Sequence, residues 1–138
     1  MNNYKTKVIY NNHENRKVTE FYLIQGVNFS DVETHSTMML ESMSNGEFET
    51  PAINKVKYSD IVHFENDKYF YDVKVKLTLI DEVNGKEKLS ICKMLVSGND
   101  IIHAYDRAYV LMKDSMSDYE IISIINSKII DVFKTKED

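Results

Sequence analysis

The chain reads as an α+β protein made by tandem duplication of one ββαβ unit, a mainly antiparallel sheet carrying two helices on one side. Three observations predict this. Two stretches of paired apolar strands each run into a Gly and then a helix of about four turns. The helix halves align without a gap at an offset of 72, which sets Gly26 on Gly98, Phe29 on Ile101, Val32 on Ala104 and Met39 on Leu111. After the helix an offset of 69 sets Ile53 on Ile122, Val56 on Ile125, Ile61 on Ile130 and Phe64 on Phe133. Self-similarity at a fixed spacing marks a repeated supersecondary unit.

The first strand pair spans about Tyr4 to Tyr10 and Val18 to Gln25, joined by an Asn-rich polar loop from Asn11 to Lys17. Gly26 ends the pair. Asn28 is placed to cap the following helix, with Asp31 in its first turn, and Ser30 with Glu33 forms a competing capping box. Phe29, Val32, Ser36, Met39, Leu40 and Met43 make the apolar stripe at helical spacing. Phe29 and Ile101 are expected in the core. Asn45-Gly46 stops the helix, and Pro51 restricts the next strand, from about Ala52, to an edge or a start. Alternation slips at Ser59-Asp60, which predicts a kink or a bulge.

Glu65-Asn66-Asp67 is the boundary between halves of about 1–64 and 69–133 within a single domain. In the second half Tyr71, Val73, Val75, Leu77 and Leu79 alternate onto one face, and Glu82-Val83-Asn84-Gly85 makes the turn. The return strand runs from about Lys88 to Val96. Asp100 or Asn99 repeats the cap, and the helix is expected to reach Met116. The last strand region, Tyr119 to Phe133, breaks at Asn126-Ser127-Lys128, and residues 134–138 should fray.

Composition is that of an ordinary globular chain of 138 residues, 43% hydrophobic and 28% charged. One Cys excludes an internal disulfide, and the alternation Ser90, Cys92, Met94, Val96 makes Cys92 a half-buried strand residue. No apolar run is long enough to span a membrane and the N-terminus lacks a signal-peptide core, so a cytoplasmic location is expected. The net charge of −5 works against unspecific affinity for nucleic acid.

No phosphate-binding, zinc-binding or nucleophile-elbow string occurs. His35 with Asp31 and His103 with Asp106 have spacings that fit a metal, yet both read better as solvated helix faces. Asp60, Asp118 and Asp131 read as turn formers or outward strand residues, not as an acid–base pair. No catalytic residue, cofactor or metal is expected, and the chain is read as not an enzyme.

Two surfaces remain. In Tyr69-Phe70-Tyr71 the pleat sends Phe70 opposite its neighbours, so either Phe70 or the two tyrosines should be exposed. Lys55 with Lys57, and Lys74 with Lys76, form two basic strand faces. If those faces coincide beside Tyr58, they suit a phosphate backbone or an acidic partner; a solvated sheet face is the plainer reading. Lys55, Lys57, Tyr58, Phe70, Lys74 and Lys76 are thus the candidate binding residues. Separately, Ile121-Ile122 with Ile124-Ile125 makes both faces of one strand apolar, which predicts a homodimer.

Lys17-Val18-Thr19-Glu20-Phe21-Tyr22-Leu23-Ile24, Lys57-Tyr58-Ser59-Asp60-Ile61, Met116 to Ile124 and Ile129-Ile130-Asp131-Val132-Phe133 together resemble a family of Bacteroidetes and their phages, the domain of unknown function numbered 4494. The resemblance covers the full length. It implies a phage or mobile-element setting and tolerance of change at Asn11 to Arg16, Asn45 to Thr50 and Glu65-Asn66-Asp67, and it lends no ligand or catalytic role. The leading expectation is a non-enzymatic adaptor or accessory module that binds a protein partner. The alternatives are a nucleic-acid binder using the Lys/Tyr face and a small-molecule or nucleotide binder.

Overall fold

The computed structural model describes residues 1–135. The elements follow in chain order: β1 (Asn2–Asn11), β2 (Lys17–Gly26), α1 (Phe29–Met43), β3 (Ala52–Val56), β4 (Asp60–Val62), β5 (Tyr69–Ile80), β6 (Glu87–Gly98), α2 (Ile101–Met112), β7 (Asp118–Asn126) and β8 (Ile129–Lys134). The duplicated ββαβ pattern is therefore real. Its last strand is split in each copy where alternation slips, and Lys128 takes a positive φ of 66° at the second break.

Two four-stranded sheets result, in the orders β3-β1-β2-β8 and β4-β6-β5-β7. In each, a long antiparallel hairpin holds the centre, with the first limb of its ladder extended by the antiparallel strand that follows the helix. The fourth strand is parallel and comes from the other repeat: β8 pairs with β2, and β4 pairs with β6. Among the described residues, compact units consequently comprise 1–57 with 128–135, and 58–127. Their limits fall at the strand breaks, Lys57/Tyr58 and Ser127/Lys128, not at Glu65-Asn66-Asp67.

Pairing also corrects the register of the repeat. Tyr22 and Met94 hold matching places at the helix offset of 72, and their parallel partners are Asp131 and Asp60. Asp60 thus corresponds to Asp131, Ile61 to Val132 and Val62 to Phe133, an offset of 71 and not 69. The hairpins agree, because Thr6 faces Ile53 where its counterpart Val73 faces Ile124. Apolar identity misaligned these strands because both copies are rich in Ile, and a two-residue slip keeps every side chain on the same face.

Within the first unit α1 covers the face of Tyr4, Val8, Tyr10, Tyr22 and Ile24 with Val32 and Leu40, and Met39, Met43 and Phe133 pack around them. The second unit repeats this with Tyr71, Val73, Val75, Met94 and Val96 under Ala104 and Ala108 of α2. Ser36, the counterpart of Ala108, is buried and donates to the Val32 carbonyl at 2.7 Å, so its hydroxyl is satisfied. Phe29 and Ile101 occupy equivalent environments, but not core ones: they are 48% and 55% exposed. Each is the first residue of its helix, ahead of the first buried position.

Both caps form. Asn28 Oδ1 accepts from the Asp31 amide at 2.9 Å, and Asp31 Oδ2 accepts from the Val27 amide at 3.2 Å. Asp100 Oδ1 accepts from the His103 amide at 2.7 Å, and His103 Nδ1 accepts from the Asn99 amide at 3.2 Å. These reciprocal pairs satisfy backbone donors that a helix start leaves free. The α2 helix stops at Met112, short of Met116, where a turn closes from the Ser115 amide to the Met112 carbonyl. At the other end of the chain Lys134 belongs to β8 and the Thr135 amide donates to Gln25; residues 136–138 of the expected frayed tail lie outside the described residues.

Gly26 sits where β2 turns into α1, and a Cβ there would lie 2.7 Å from Val32 Cγ2. Gly26→Ala should therefore destabilise the protein by about 1–3 kcal/mol in urea unfolding, the usual cost of overpacking. A chain ending at Ser127 keeps the β5, β6 and β7 ladder but strips β8 from β2. Hydrogen exchange is expected to accelerate at β2 amides and stay slow in β5 and β6; uniform acceleration would contradict two separately closed sheets.

Candidate functional site

The basic series divides between the two units. Lys74 and Lys76 point to the face of the sheet opposite α2, with Lys93 beside Lys74 across the ladder. Lys76 pairs with Glu120 at 3.2 Å. Lys93 Nζ lies 5.0 Å from the centre of the Tyr58 ring, whose hydroxyl donates to Asp72 at 2.6 Å. Burial, the hydrogen bond to Asp72 and its charge all push the Tyr58 phenol well above its usual range. This face brings together Tyr58, Lys74, Lys76 and a lysine the sequence reading omitted, Lys93, with carboxylates among them. Lys55 and Lys57 belong to the other unit, Lys55 on the edge strand β3 opposite Tyr4 and Lys57 just after it.

Phe70 is 3% exposed, and Tyr71, on the opposite face, is 5% exposed, while Tyr69 is the exposed ring. Both faces of the sheet are covered at this point, so neither expected arrangement of the three rings occurs. Phe70 contacts His63 with ring centroids 4.9 Å apart, and its carbonyl accepts from the Ser127 amide and hydroxyl. No ring is offered to solvent there except Tyr69.

One clear departure from an ordinary solvated surface is α2. The repeat supplies its own reference, since α1 occupies the equivalent place in the other unit. Ser30, Glu33 and Thr37 of α1 correspond to Ile102, Tyr105 and Tyr109 of α2. Those three apolar or aromatic residues are 73%, 46% and 49% exposed. Ile101 extends the patch at one end and the partly buried Met112 and Tyr119 at the other. The Tyr119 phenol is raised by burial and, after that, by the neighbouring Tyr109 and Tyr105 phenols. Three tyrosines and two isoleucines thus gather on one uncharged flank, the residue types that dominate binding hot spots.

On the opposite flank α2 and the segment after β4 enclose a groove of about 520 Å³, lined by Val62, Phe64, Asp106, Arg107, Val110, Leu111 and Asp114. Arg107 forms its inner wall. Its guanidinium stacks 4.1 Å from the Phe64 ring centre, pairs with Asp67 and donates to the Ser97 carbonyl at 2.8 Å. The Ser97 hydroxyl donates to Asp67 at 2.6 Å and accepts from the Phe64 amide at 2.9 Å. Burial by itself would raise the Asp67 carboxyl; hydrogen bonds from Ser97 and Arg107, with the charges of Arg107 and His103, hold it below its usual value. Of the Glu65-Asn66-Asp67 stretch, Asp67 is thus tied to α2 and β6, whereas Glu65 and Asn66 are exposed. Sequence missed this because Asp67 and Arg107 stand 40 positions apart, and nothing in either local string announces a partner.

The folded-state value of Asp67 lies below that of the unfolded chain, so its contribution is complete above about pH 4 and fades as pH falls through the folded value. Asp67→Asn should cost about 2 kcal/mol at pH 7, the scale of hydrogen bonds to charged groups. The difference from the parent should shrink at pH 3, as measured by urea unfolding at both values.

The described residues hold no group of three or more His, Cys, Asp or Glu side chains able to bind a metal, and no described helix is long and apolar enough to cross a membrane. Neither a curated protein nor a solved structure matches the chain. One family model does match, over residues 2–135, and the chain belongs to that family, described as Domain of unknown function (DUF4494).

Proposed function

We propose that the protein is a non-enzymatic protein-binding module whose principal contact face is the outer flank of α2. The contrast between the two helices carries this reading. Duplicated elements under the same packing demands differ here by Ser30 against Ile102, Glu33 against Tyr105 and Thr37 against Tyr109. Folding does not require the change, because α1 meets the same structural role with polar residues. A solvent-facing apolar patch costs solubility and is retained where a partner covers it.

A second copy of the chain is the occupant that suits this flank best. Most of the surface of a chain with net charge −5 repels its own copy. The patch of Ile101, Ile102, Tyr105, Tyr109 and Tyr119 carries no charge, and a twofold pairing places the same residues on both sides. Of the four β7 isoleucines that predict a homodimer from sequence, Ile121 and Ile124 pack under α2, while Ile122 and Ile125 are exposed, Ile125 opposite Asp72 on the sheet face away from α2 and so outside this flank. An adaptor built this way would be a dimer displaying two further binding surfaces. The phage or mobile-element setting in Bacteroidetes that we attach to it rests on the family resemblance.

The repeat also supplies the test. Ile102→Ser, Tyr105→Glu and Tyr109→Thr together rewrite α2 with the residues of α1. Multi-angle light scattering should show a dimer for the parent at micromolar concentrations and a monomer for the triple variant, with unchanged far-ultraviolet circular dichroism. A monomeric parent across that range would sink self-association through this face.

A further inference from the structure

We infer that the groove between α2 and the segment following β4 receives a short peptide segment of a protein partner, in which a large apolar side chain is flanked by Lys or Arg. This rests on the protein-binding reading but uses the other flank of α2. The apolar lining is made by Val62, Phe64, Val110 and Leu111, of which Phe64, Val110 and Leu111 are 52%, 58% and 42% exposed. A volume of about 520 Å³ accommodates one large side chain with its flanking backbone.

Charge then selects the chemistry of the occupant. The one cation in the lining, Arg107, is already paired with Asp67 and bonded to Ser97. It contributes a flat apolar surface over Phe64 and no free charge for an acidic ligand. Asp106 on α2 and Asp114 in the turn just after it stand exposed, four positions to either side of Val110, and neither makes an ion pair with a described residue. An apolar side chain entering the groove therefore passes between two open carboxylates. Basic neighbours are attracted and acidic ones repelled, which gives specificity as well as association rate.

A nucleotide or a phosphate backbone is the wrong match, since its charge would meet the two carboxylates with Arg107 neutralised. A second copy of this chain is also disfavoured in the groove, because Asp106 and Asp114 would each face like charge.

The test is selection from a random linear peptide library displayed on mRNA, using the full chain as bait, followed by fluorescence polarisation of enriched peptides. Enriched peptides should carry Leu, Ile, Met or Phe within two residues of Lys or Arg. Their affinity should fall at least about tenfold for Leu111→Glu, and for Asp106→Lys with Asp114→Lys, and should weaken between 50 and 300 mM salt as rim charges are screened. All three positions are exposed, so circular dichroism should match the parent. The Ile102→Ser/Tyr105→Glu/Tyr109→Thr variant should keep the peptide. Loss in that variant with retention in the groove variants would overturn the assignment to the groove while leaving the protein-binding reading in place. No enriched peptide, or enrichment of peptides without basic residues, would overturn the inference itself.

Discussion

The structure depends on an exchange of strands between the repeats. In β2 the consecutive residues Tyr22, Leu23 and Ile24 are all buried, and in β6 Met94, Leu95 and Val96 are too. A strand buried on both pleat faces over three residues cannot remain at the edge of a sheet, where one set of its backbone groups would lack partners. The hairpin and the strand after the helix leave β2 and β6 in that position. Only a fourth strand completes them, and in each case it is the terminal strand of the other repeat, β8 on β2 and β4 on β6. The caps, the helix-to-strand glycines and the cores under each helix then follow as two copies of one local solution.

Much of this was legible in the chain. Strand alternation, the Asn28 and Asp100 caps, the turn at Gly85 with φ 70° and the breaks before β4 and β8 all come from local chemistry within a few residues. Strand exchange was not, because an edge strand of three to six residues carries no mark of which hairpin it will join. The two-residue slip between Ile53 and Ile124 had the same origin: Ile, Val and Phe are interchangeable to an alignment but not to a ladder. Phe29 and Ile101 lie at helical spacing from the buried stripe, yet stand at its open end. Among site residues, the lysines were visible as strand faces, while their pairing with Glu120 and Tyr58 needed the register of β5 against β7 and the route of the chain through β4.

Duplication also separates what folding needs from what it does not. Gly26 and Gly98, Val32 and Ala104, Ser36 and Ala108, and the caps match in burial and role across the copies. Surface positions are free of those demands, so divergence there records a different pressure. At the matched outward positions 30, 33 and 37 α1 is polar where α2 carries Ile102, Tyr105 and Tyr109, although α1 exposes Met38 elsewhere on its surface. A single helix with an apolar outer flank would be ambiguous between marginal solubility and function. Two helices in one architecture, only one of them so decorated, make the second explanation the economical one.

The Asp67–Arg107 pair ties these strands of reasoning to one place. It anchors the segment after the exchanged strand β4, through the Ser97 hydroxyl that also accepts the Phe64 amide. The same contact consumes the charge of Arg107 and lays its guanidinium against Phe64, so the groove wall is apolar although an arginine builds it. In the first repeat His35 holds the position of Arg107 and lies against Phe133 of the exchanged strand β8, with ring centroids 6.1 Å apart. Both helices therefore use this position to hold the incoming strand. Only the second does so with a group that must be neutralised, and the acid that neutralises it sits in the one stretch that local sequence marks as a linker. Folding of that linker and shaping of the groove are the same event, which makes any partner of the groove sensitive to whether β4 has been delivered to β6.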